Sequence, residues 1–298
     1  MSWRILYIEE SDYLSLYLDN VKVVKNEEEL LVPISDMNTI ILDNYKITLS
    51  VHLMIELTKQ NVNIVVCNLE HLPHALIIPF GGASQTSINI RKQIEWDEMR
   101  KAFVHQSIIK AKIKNQLTLL KTINKNTDTI LKLEQYMEEV ALSDKTNREG
   151  LAAKMYFKAI FGNEFKRFDD DIINAGLNYG YAILRSLISK TILVKGYHTS
   201  LGFFHKGPNN LFNLSDGFIE TFRPIVDYWV HKNLIKEKIF LREHRFELVK
   251  LTTSNIFFND SSQSIFNAMR LYIDHVISYV ESEDNFNILH PIIKYDEL

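Results

Sequence analysis

The chain has 298 residues, of which 46% are hydrophobic and 24% are charged, and its formal net charge is −3 at pH 7. This composition excludes an intrinsically disordered chain, which would have fewer apolar residues and more net charge, and the length allows two domains. No apolar run approaches the roughly 20 residues that a membrane helix needs, and the first residues lack the basic start and apolar stretch of a signal peptide. We therefore expect a cytoplasmic protein that does not bind membranes.

The first 80 residues are predicted to form mainly β-strands, because they contain short runs of Val, Ile, Leu and Tyr separated by Asp, Asn, Glu or Pro. One helix is expected at about 48–60, followed by an apolar run at 62–68 that is typical of a buried strand. Prolines and glycines are then expected to interrupt regular structure in the stretch 71–84. We place the end of a small β-rich domain, residues 1–82, in this stretch.

The rest of the chain has the pattern of helices, and we predict a larger all-α domain over residues 89–298. The predicted helices cover residues 89–123, 128–142, 147–161, 170–195, 215–234 and 262–281. The fold class is therefore predicted to be α+β, with the β-rich domain first and a helical catalytic domain second.

Charge is distributed unevenly along the chain. Residues 1–80 contain eleven acidic and five basic residues, a balance of −6, so the remainder carries +3. The segment 100–125 contains no acidic residue and seven basic ones, which are Arg100, Lys101, Lys110, Lys112, Lys114, Lys121 and Lys125. Such a stretch could neutralise DNA phosphates, but charge alone favours the simpler interpretation of a solvated helix face.

Three residues of the helical part are candidates for metal chemistry, and each also has a structural interpretation. Glu149 fits a T-x-x-E capping box with Thr146, and His205 lies in a loop rich in Gly and Asn, where most histidines are surface residues. Glu220 lies four residues before Pro224, whose ring removes a donor to the carbonyl of Glu220, so the helix should bend there. Two carboxylates and an imidazole would suit Mn²⁺ or Mg²⁺, although their separation in the sequence does not show that they meet.

Four segments carry a resemblance to a known family. They are N-R-E-G-L-A-A-K-M-Y-F (147–157), N-Y-G-Y-A-I-L (178–184), G-F-F-H-K-G (202–207) and L-S-D-G-F-I-E-T-F-R-P-I-V-D (214–227). In this order and spacing they resemble CRISPR-associated protein one, the catalytic subunit of the adaptation complex that integrates new spacers. The resemblance extends over essentially the whole chain and is strongest to the variant from type II-A systems.

The resemblance implies a set of metal ligands. The family's metal glutamate falls on Glu149, its metal histidine on His205 and its third acidic ligand on Glu220, and the metal is expected to be Mg²⁺ or Mn²⁺. Many relatives have an Asp three residues before the third ligand. This chain has Gly217 there, with Asp216 beside it, so we leave Asp216 out of the ligand set.

The resemblance also implies an activity and partners. The 3′-hydroxyl of a captured double-stranded DNA fragment would attack a phosphodiester at the edge of a CRISPR repeat, and water in its place would make the same site an endonuclease. The family implies a homodimer formed largely through the β-rich domain. Two such dimers bracket the small dimeric CRISPR-associated protein two in a heterohexamer. The basic stretch at 100–125 then becomes a candidate surface for DNA.

Two other functions are considered. A helical phosphohydrolase acting on nucleotides would normally have an adjacent His-Asp pair, and ATP chemistry would call for a G-x-x-x-x-G-K-[ST] loop; the sequence contains neither. The remaining alternative is a non-enzymatic DNA-binding scaffold in which Glu149, His205 and Glu220 are structural. It predicts DNA binding that is indifferent to Glu220→Ala and no activity with any metal.

Overall fold

The computed structural model describes residues 4–79, 85–123 and 127–298. Packing divides the chain into two units, Met1–Ser84 and Gln85–Leu298. The predicted end of the β-rich domain at residue 82 and the basic residue Lys125 lie outside the described residues. The fold is α+β, as the sequence predicted, because the first unit is built mainly of strands and the second mainly of helices.

The N-terminal unit contains two sheets. Its strands are β1 (Arg4–Ile8), β2 (Tyr13–Tyr17), β3 (Asn20–Lys25), β4 (Glu28–Pro33), β5 (Met37–Leu42), β6 (Thr48–Leu49), β7 (Asn63–Cys67) and β8 (Pro73–Ile77). One sheet has the order β1-β5-β7-β8, and the other has the order β4-β3-β2-β6. Strands β1, β5 and β7 run parallel, so their carboxyl ends meet at one edge of the first sheet.

Tight hairpins order the second sheet. Strands β2, β3 and β4 are joined by two-residue turns, and the four turn residues Leu18, Asp19, Asn26 and Glu27 have φ values of 44°, 59°, 49° and 69°. Turns with positive φ at both central residues follow the right-handed twist of the strands, which favours antiparallel hairpins of this length.

Helix α1 (Val51–Lys59) closes the core of the N-terminal unit. Ser50 begins the helix, since its hydroxyl accepts a hydrogen bond from the backbone N–H of Leu53 at 3.3 Å. Leu53 and Leu57 are both fully buried and belong to the same apolar cluster as Leu14. Burial of a leucine side chain contributes about 1.5–3 kcal/mol, so these contacts hold the helix in place.

Strand β8 lies where the sequence predicted an interruption. Its proline, Pro73, is the first residue of the strand and pairs with Cys67, and β8 is the edge strand of its sheet. A proline at the first residue of an edge strand removes no hydrogen bond from the centre of the sheet. The expected interruption was therefore wrong for Pro73–Ile77, whereas Gly81 and Gly82 of the same stretch lie outside the described residues.

The second unit contains nine helices and one hairpin within the described residues. They are α2 (Thr86–Ile94), α3 (Glu98–Thr122), α4 (Thr127–Glu138), α5 (Arg148–Phe161), α6 (Ile172–Val194), α7 (Asn213–Ile219), α8 (Arg223–Asn233), α9 (Arg242–Leu251), β9 (Asn255–Phe258), β10 (Ser261–Ser264) and α10 (Ile265–Glu281). None of the helices in the described ranges is long and apolar enough to cross a membrane.

Two of the predicted helices are each divided in the structure. The predicted helix at 89–123 is interrupted before α3, where the side chain of Asp97 accepts a hydrogen bond from the N–H of Arg100 at 2.9 Å and begins a new helix. The predicted helix at 215–234 is divided into α7 and α8, with Pro224 in the first turn of α8. The bend that we expected beside Glu220 is thus confirmed as a break between two helices.

Candidate active site

The first turn of α5 carries Glu149, and its backbone is fixed by an aspartate rather than by the predicted capping box. Asn147 is the capping residue, and its side chain accepts from the N–H of Gly150 at 3.3 Å. The carboxylate of Asp144 accepts from the N–H groups of Arg148 and Glu149 at 2.8 Å and 2.9 Å. The capping role for Glu149 was therefore wrong, because these side chains occupy the free donors and leave the Glu149 carboxylate for another partner.

That partner is a lysine of helix α3, which brings Glu149 and Glu220 together. Nζ of Lys112 lies 2.6 Å from Oε1 of Glu149 and 2.5 Å from Oε2 of Glu220. Lys112 is 8% exposed and Glu220 is 6% exposed, so this ion-pair cluster is largely removed from water. Since both carboxylates contact one nitrogen, the structure places two of the three predicted metal ligands side by side.

The charged groups in this cluster stabilise one another's ionised forms. Burial lowers the pKa of Lys112, but the carboxylates of Glu220 and Glu149 outweigh burial, so the pKa is raised. Burial raises the pKa of Glu220, but Arg223 and Lys112 outweigh it, so this pKa is lowered. The two residues are therefore charged at neutral pH.

His205 lies in the loop before α7, and stacked rings hold that loop. The ring of Phe204 stacks on His105 of α3 with a centroid distance of 3.9 Å, and His205 meets the edge of the same imidazole at 6.5 Å. A Cβ on Gly202 would lie 2.8 Å from the carbonyl carbon of Asn213, so only glycine fits this approach of the loop to α7. These contacts place His205 near Glu220, whose pKa it helps to lower.

The ligand atoms of Glu149, His205 and Glu220 lie farther apart than ligand atoms around a bound metal ion would. Among the residues that the structure describes, the group whose ligand atoms all lie within 4.8 Å of one another is a different one, Glu9, Asp43 and His71. In the helical unit the ammonium of Lys112 lies between the two glutamates instead. The structure thus brings the two carboxylates together on Lys112, and the assignment of Glu149, His205 and Glu220 as metal ligands stays a prediction.

No pattern in the sequence selects His105 as a site residue. His105 is 4% exposed, and within the described part of the chain neither of its ring nitrogens has a hydrogen-bond partner. Burial lowers its pKa, and Glu149 opposes that effect only in part. A neutral imidazole therefore lies beside His205 and is electrostatically coupled to the site.

A groove of about 500 Å³ opens from His205 toward the surface. Lys101 and Lys206 line it, together with Ser200 and Gly207. A groove lined by lysine side chains and by polar side-chain and backbone groups suits a phosphate-bearing ligand. His205 is the member of the predicted set that this groove reaches.

A chain of polar contacts supports Glu220 from the other side. Nε of Arg223 lies 3.0 Å from Oε1 of Glu220, and its guanidinium lies over the ring of Tyr181 at 4.7 Å. The hydroxyls of Tyr181 and Tyr156 both donate to the buried carboxylate of Asp227, Tyr156 at 2.8 Å. Burial raises the pKa of Asp227 to about 6, although the two phenols oppose it.

Asp216, the acidic neighbour of Gly217, has other partners. Its carboxylate accepts from Nε of Arg185 at 2.8 Å and from the side-chain amide of Asn210 at 2.8 Å. These contacts tie α6 and the loop before α7 to the start of α7. In this structure Asp216 is part of that connection rather than of the Lys112 cluster.

The basic stretch at 100–125 does not form one face of α3. Lys112 is buried in the cluster just described, and the guanidinium of Arg100 donates to the carbonyls of Tyr279 and Glu283 at 2.7 Å and 2.8 Å. Lys114 is exposed. The interpretation of the whole stretch as a solvated helix face was wrong, because some of its cations serve internal contacts.

The group in the N-terminal unit lies at the carboxyl ends of parallel strands. Glu9 follows β1, Asp43 follows β5, and His71 lies in the loop after β7. The carboxylate of Asp43 accepts from the hydroxyl of Tyr7, and its other oxygen lies 2.9 Å from Nδ1 of His71. Two carboxylates and an imidazole make this group a possible metal site as well.

The residues of the helical cluster also fit a divalent cation. Carboxylates and an imidazole are ligands that Mg²⁺ and Mn²⁺ accept. Oε2 of Glu220 is buried, and the Lys112 ammonium lies 2.5 Å from it. The two glutamates already share one positive charge, so Glu149 and Glu220 with His205 would hold a metal.

Known proteins match most of this chain. A family model described as CRISPR associated protein Cas1 matches residues 6–266. The CRISPR-associated endonuclease Cas1 of Neisseria meningitidis serogroup C (strain 8013) is 33% identical over 230 residues, which make up 77% of this chain and 75% of that protein.

Two solved structures share the fold. A casposase bound to integration product matches with a TM-score of 0.78 and 18% identity, over 99% of this chain and 96% of that chain. A chain of a Cas6-RT-Cas1–Cas2 complex matches with a TM-score of 0.70 and 14% identity, over 93% of this chain and 35% of that chain. With the family model matching most of the sequence, and with the Neisseria endonuclease similar over three quarters of it, the chain belongs to the Cas1 family of CRISPR-associated proteins.

Proposed function

We propose that the chain is a divalent-metal-dependent DNA integrase and endonuclease that inserts DNA fragments as new spacers into a CRISPR array. Glu149, His205 and Glu220 hold the metal, which is Mg²⁺ or Mn²⁺. The observation that carries this proposal is the meeting of Glu149 and Glu220, 71 residues apart in the sequence, on one buried cation. The endonuclease name of the Neisseria relative and the casposase bound to integration product support the same chemistry.

The reaction is a transesterification. The 3′-hydroxyl of the fragment forms a new P–O bond at the edge of a repeat, the old P–O bond breaks, and the displaced 3′-oxygen takes up the proton. A bound divalent cation supplies stabilisation of the charge that develops at phosphorus. Arg223 keeps Glu220 ionised, and the stacked rings of His105 and Phe204 orient the loop of His205. With water as the nucleophile the same site hydrolyses DNA.

The groove at His205 is the proposed path for the DNA backbone. Lys101 and Lys206 line it, and each contacts the carboxylate of Glu98. Phosphates that enter would compete with Glu98 for these two cations.

The proposed partners are double-stranded DNA with 3′-hydroxyl ends, repeat DNA and Cas2, which the Cas6-RT-Cas1–Cas2 complex names. We propose a homodimer through the N-terminal unit and two such dimers around a Cas2 dimer. The acidic balance of residues 1–80 suits a unit that faces protein rather than DNA. The variant is proposed to be that of type II-A systems.

The testing experiment uses the purified chain with a branched DNA that mimics a half-integrated spacer, and measures release and rejoining of strands with Mn²⁺ or Mg²⁺. The variant is Glu220→Gln, which keeps the shape of the side chain and removes its charge. The matched control is Glu134→Gln, since Glu134 pairs with Lys121 on α4 and α3 and lies outside the site. Circular dichroism establishes that all three proteins are folded.

We expect metal-dependent rejoining by the wild type and the control and none by Glu220→Gln. If the wild type is inactive alone, the Cas2 partner is added. Inactivity of the wild type in that assembly, with DNA binding unchanged in Glu220→Gln, would overturn the proposal in favour of a DNA-binding scaffold.

A further inference from the structure

Lys112 occupies the position that the proposed metal requires, and the inference drawn here rests on the proposed function of that site. Its ammonium contacts both Glu149 and Glu220, Arg223 pairs with Glu220, and the buried carboxyl group of Asp227 also acts on Lys112 and Arg223. Two carboxylates, one ammonium and one guanidinium sum to zero charge. These four ion-paired groups therefore have no net charge without any added ion.

A divalent cation held by the same two carboxylates would change that sum. With Lys112 and Arg223 both in place, the buried cluster would carry two excess positive charges. Like charges at this depth repel strongly, because the surrounding protein screens them far less than water does. A bound divalent cation would therefore oppose the contact of Lys112 with the two glutamates.

Of the two cations, the lysine is the one that can leave. Arg223 is held by Glu220 and by the face of the Tyr181 ring at 4.7 Å. The contacts of the Lys112 ammonium are the two carboxylates that the metal would take, and its four-carbon stem is flexible.

We propose that Lys112 is a built-in counter-cation of the active site. In the metal-free protein it holds Glu149 and Glu220 side by side, and it competes directly with the divalent cation for both. Metal binding displaces its ammonium from the carboxylates. Lys112 is a positioning residue that sets the metal affinity of the site.

The test measures metal binding rather than activity. Isothermal titration with Mn²⁺ compares the wild type with Lys112→Met, which keeps the length of the side chain and removes the competing charge. Lys114→Met is the matched control, because Lys114 lies two residues further along α3 and is exposed. Glu149→Gln in the Lys112→Met background shows whether any gain in affinity belongs to this site.

We expect Lys112→Met to bind Mn²⁺ at least about tenfold more tightly than the wild type, because displacement of a buried ion-pair partner is no longer needed. Lys114→Met should bind as the wild type does, and the double variant should lose the gain. Equal or weaker binding by folded Lys112→Met would overturn the inference while leaving the proposed function intact. Absence of any Glu149-dependent binding in all variants would overturn both.

A second measurement needs only the wild type, in case Lys112→Met does not fold. Amine acylation followed by mass spectrometry gives the labelling rate of each lysine with chelator or with saturating Mn²⁺. Release from the two carboxylates should speed the labelling of Lys112 several-fold in Mn²⁺, with Lys114 as the internal reference. Labelling of Lys112 that stays the same or slows in Mn²⁺ contradicts displacement.

Discussion

Two groups of two carboxylates and a histidine lie among the described residues, one in each unit, and they differ in what holds the carboxylates. In the N-terminal unit Asp43 contacts a phenol and an imidazole, those of Tyr7 and His71. In the helical unit Glu220 contacts an ammonium and a guanidinium, those of Lys112 and Arg223. The ligand atoms lie closer together in the first group, but positive charge is concentrated at the second.

This difference shows that closeness of donor atoms alone is a poor guide to a metal site. A carboxylate that accepts from a phenol and lies beside an imidazole has hydrogen-bond partners of its own, so the group can be a stable hydrogen-bond network. One buried and one partly buried glutamate on one ammonium form a place where the protein stabilises positive charge. We therefore propose that the second group is the catalytic one. Mutations in both groups can test that proposal.

The largest expected effect concerns activity. Glu220→Gln should lower strand transfer by at least about a hundredfold, since it removes a charged ligand from the proposed metal. Asp43→Asn should retain metal-dependent strand transfer, because the N-terminal group is not part of the proposed chemistry. The measurement is the rate of rejoining on branched DNA at saturating Mn²⁺. Loss of activity in a folded Asp43→Asn protein, with activity kept in Glu220→Gln, would reverse the assignment.

A smaller effect concerns stability. Arg223→Met should lower the free energy of unfolding by about 3 kcal/mol, because it leaves a buried glutamate with one cation fewer. Tyr7→Phe should cost about 1 kcal/mol, since it removes one hydrogen bond to Asp43. Urea unfolding at pH 7 in chelator measures both. Equal losses of unfolding free energy in the two variants would mean that the carboxylates of the two groups are held in the same way.

The fold and the family could be predicted from the sequence in outline. Alternation and short apolar runs gave the strands, and the four segments around Glu149, His205 and Glu220 gave the resemblance, which the family match confirms. Helix α9 was not predicted, because its buried residues are confined to its last turn and its apolar period is weak. Assignment to type II-A remains a prediction.

The partners of the site could not be predicted from the sequence. Lys112 lay in a basic stretch whose pattern suggests a solvated face, and nothing local distinguishes it from Lys114. His105 and Tyr156 are ordinary members of apolar helix faces until packing brings them to the site. Asp227 stood within a segment that carried the resemblance, which is the one signal that pointed to it. Long-range contacts between α3, α5 and α8 decide these roles.

Another effect, smaller than that of Arg223→Met, distinguishes two carboxylates of the helical unit: Asp227, which accepts hydrogen bonds from phenols, and Glu220, which pairs with cations. Burial raises the pKa of Asp227 to about 6, from an ordinary value of 3.8, against the lowering effect of Tyr181 and Tyr156. The folded protein therefore keeps this proton at pH values where the unfolded chain has lost it, so stability falls as pH rises through this window. Between pH 4.5 and pH 7 the loss should be about 2 kcal/mol.

Asp227→Asn has no such titration, so its free energy of unfolding should lack this decline. Urea unfolding of both proteins across the window gives the difference, in which the other titrating groups cancel. Glu220, whose pKa is lowered, acts in the opposite sense: its contribution to stability is present above its unfolded pKa and is lost as pH falls through the folded one. A wild type that gains stability over Asp227→Asn as pH rises would mean that Asp227 is held by charge, like Glu220, and the contrast between the two kinds of carboxylate would fail.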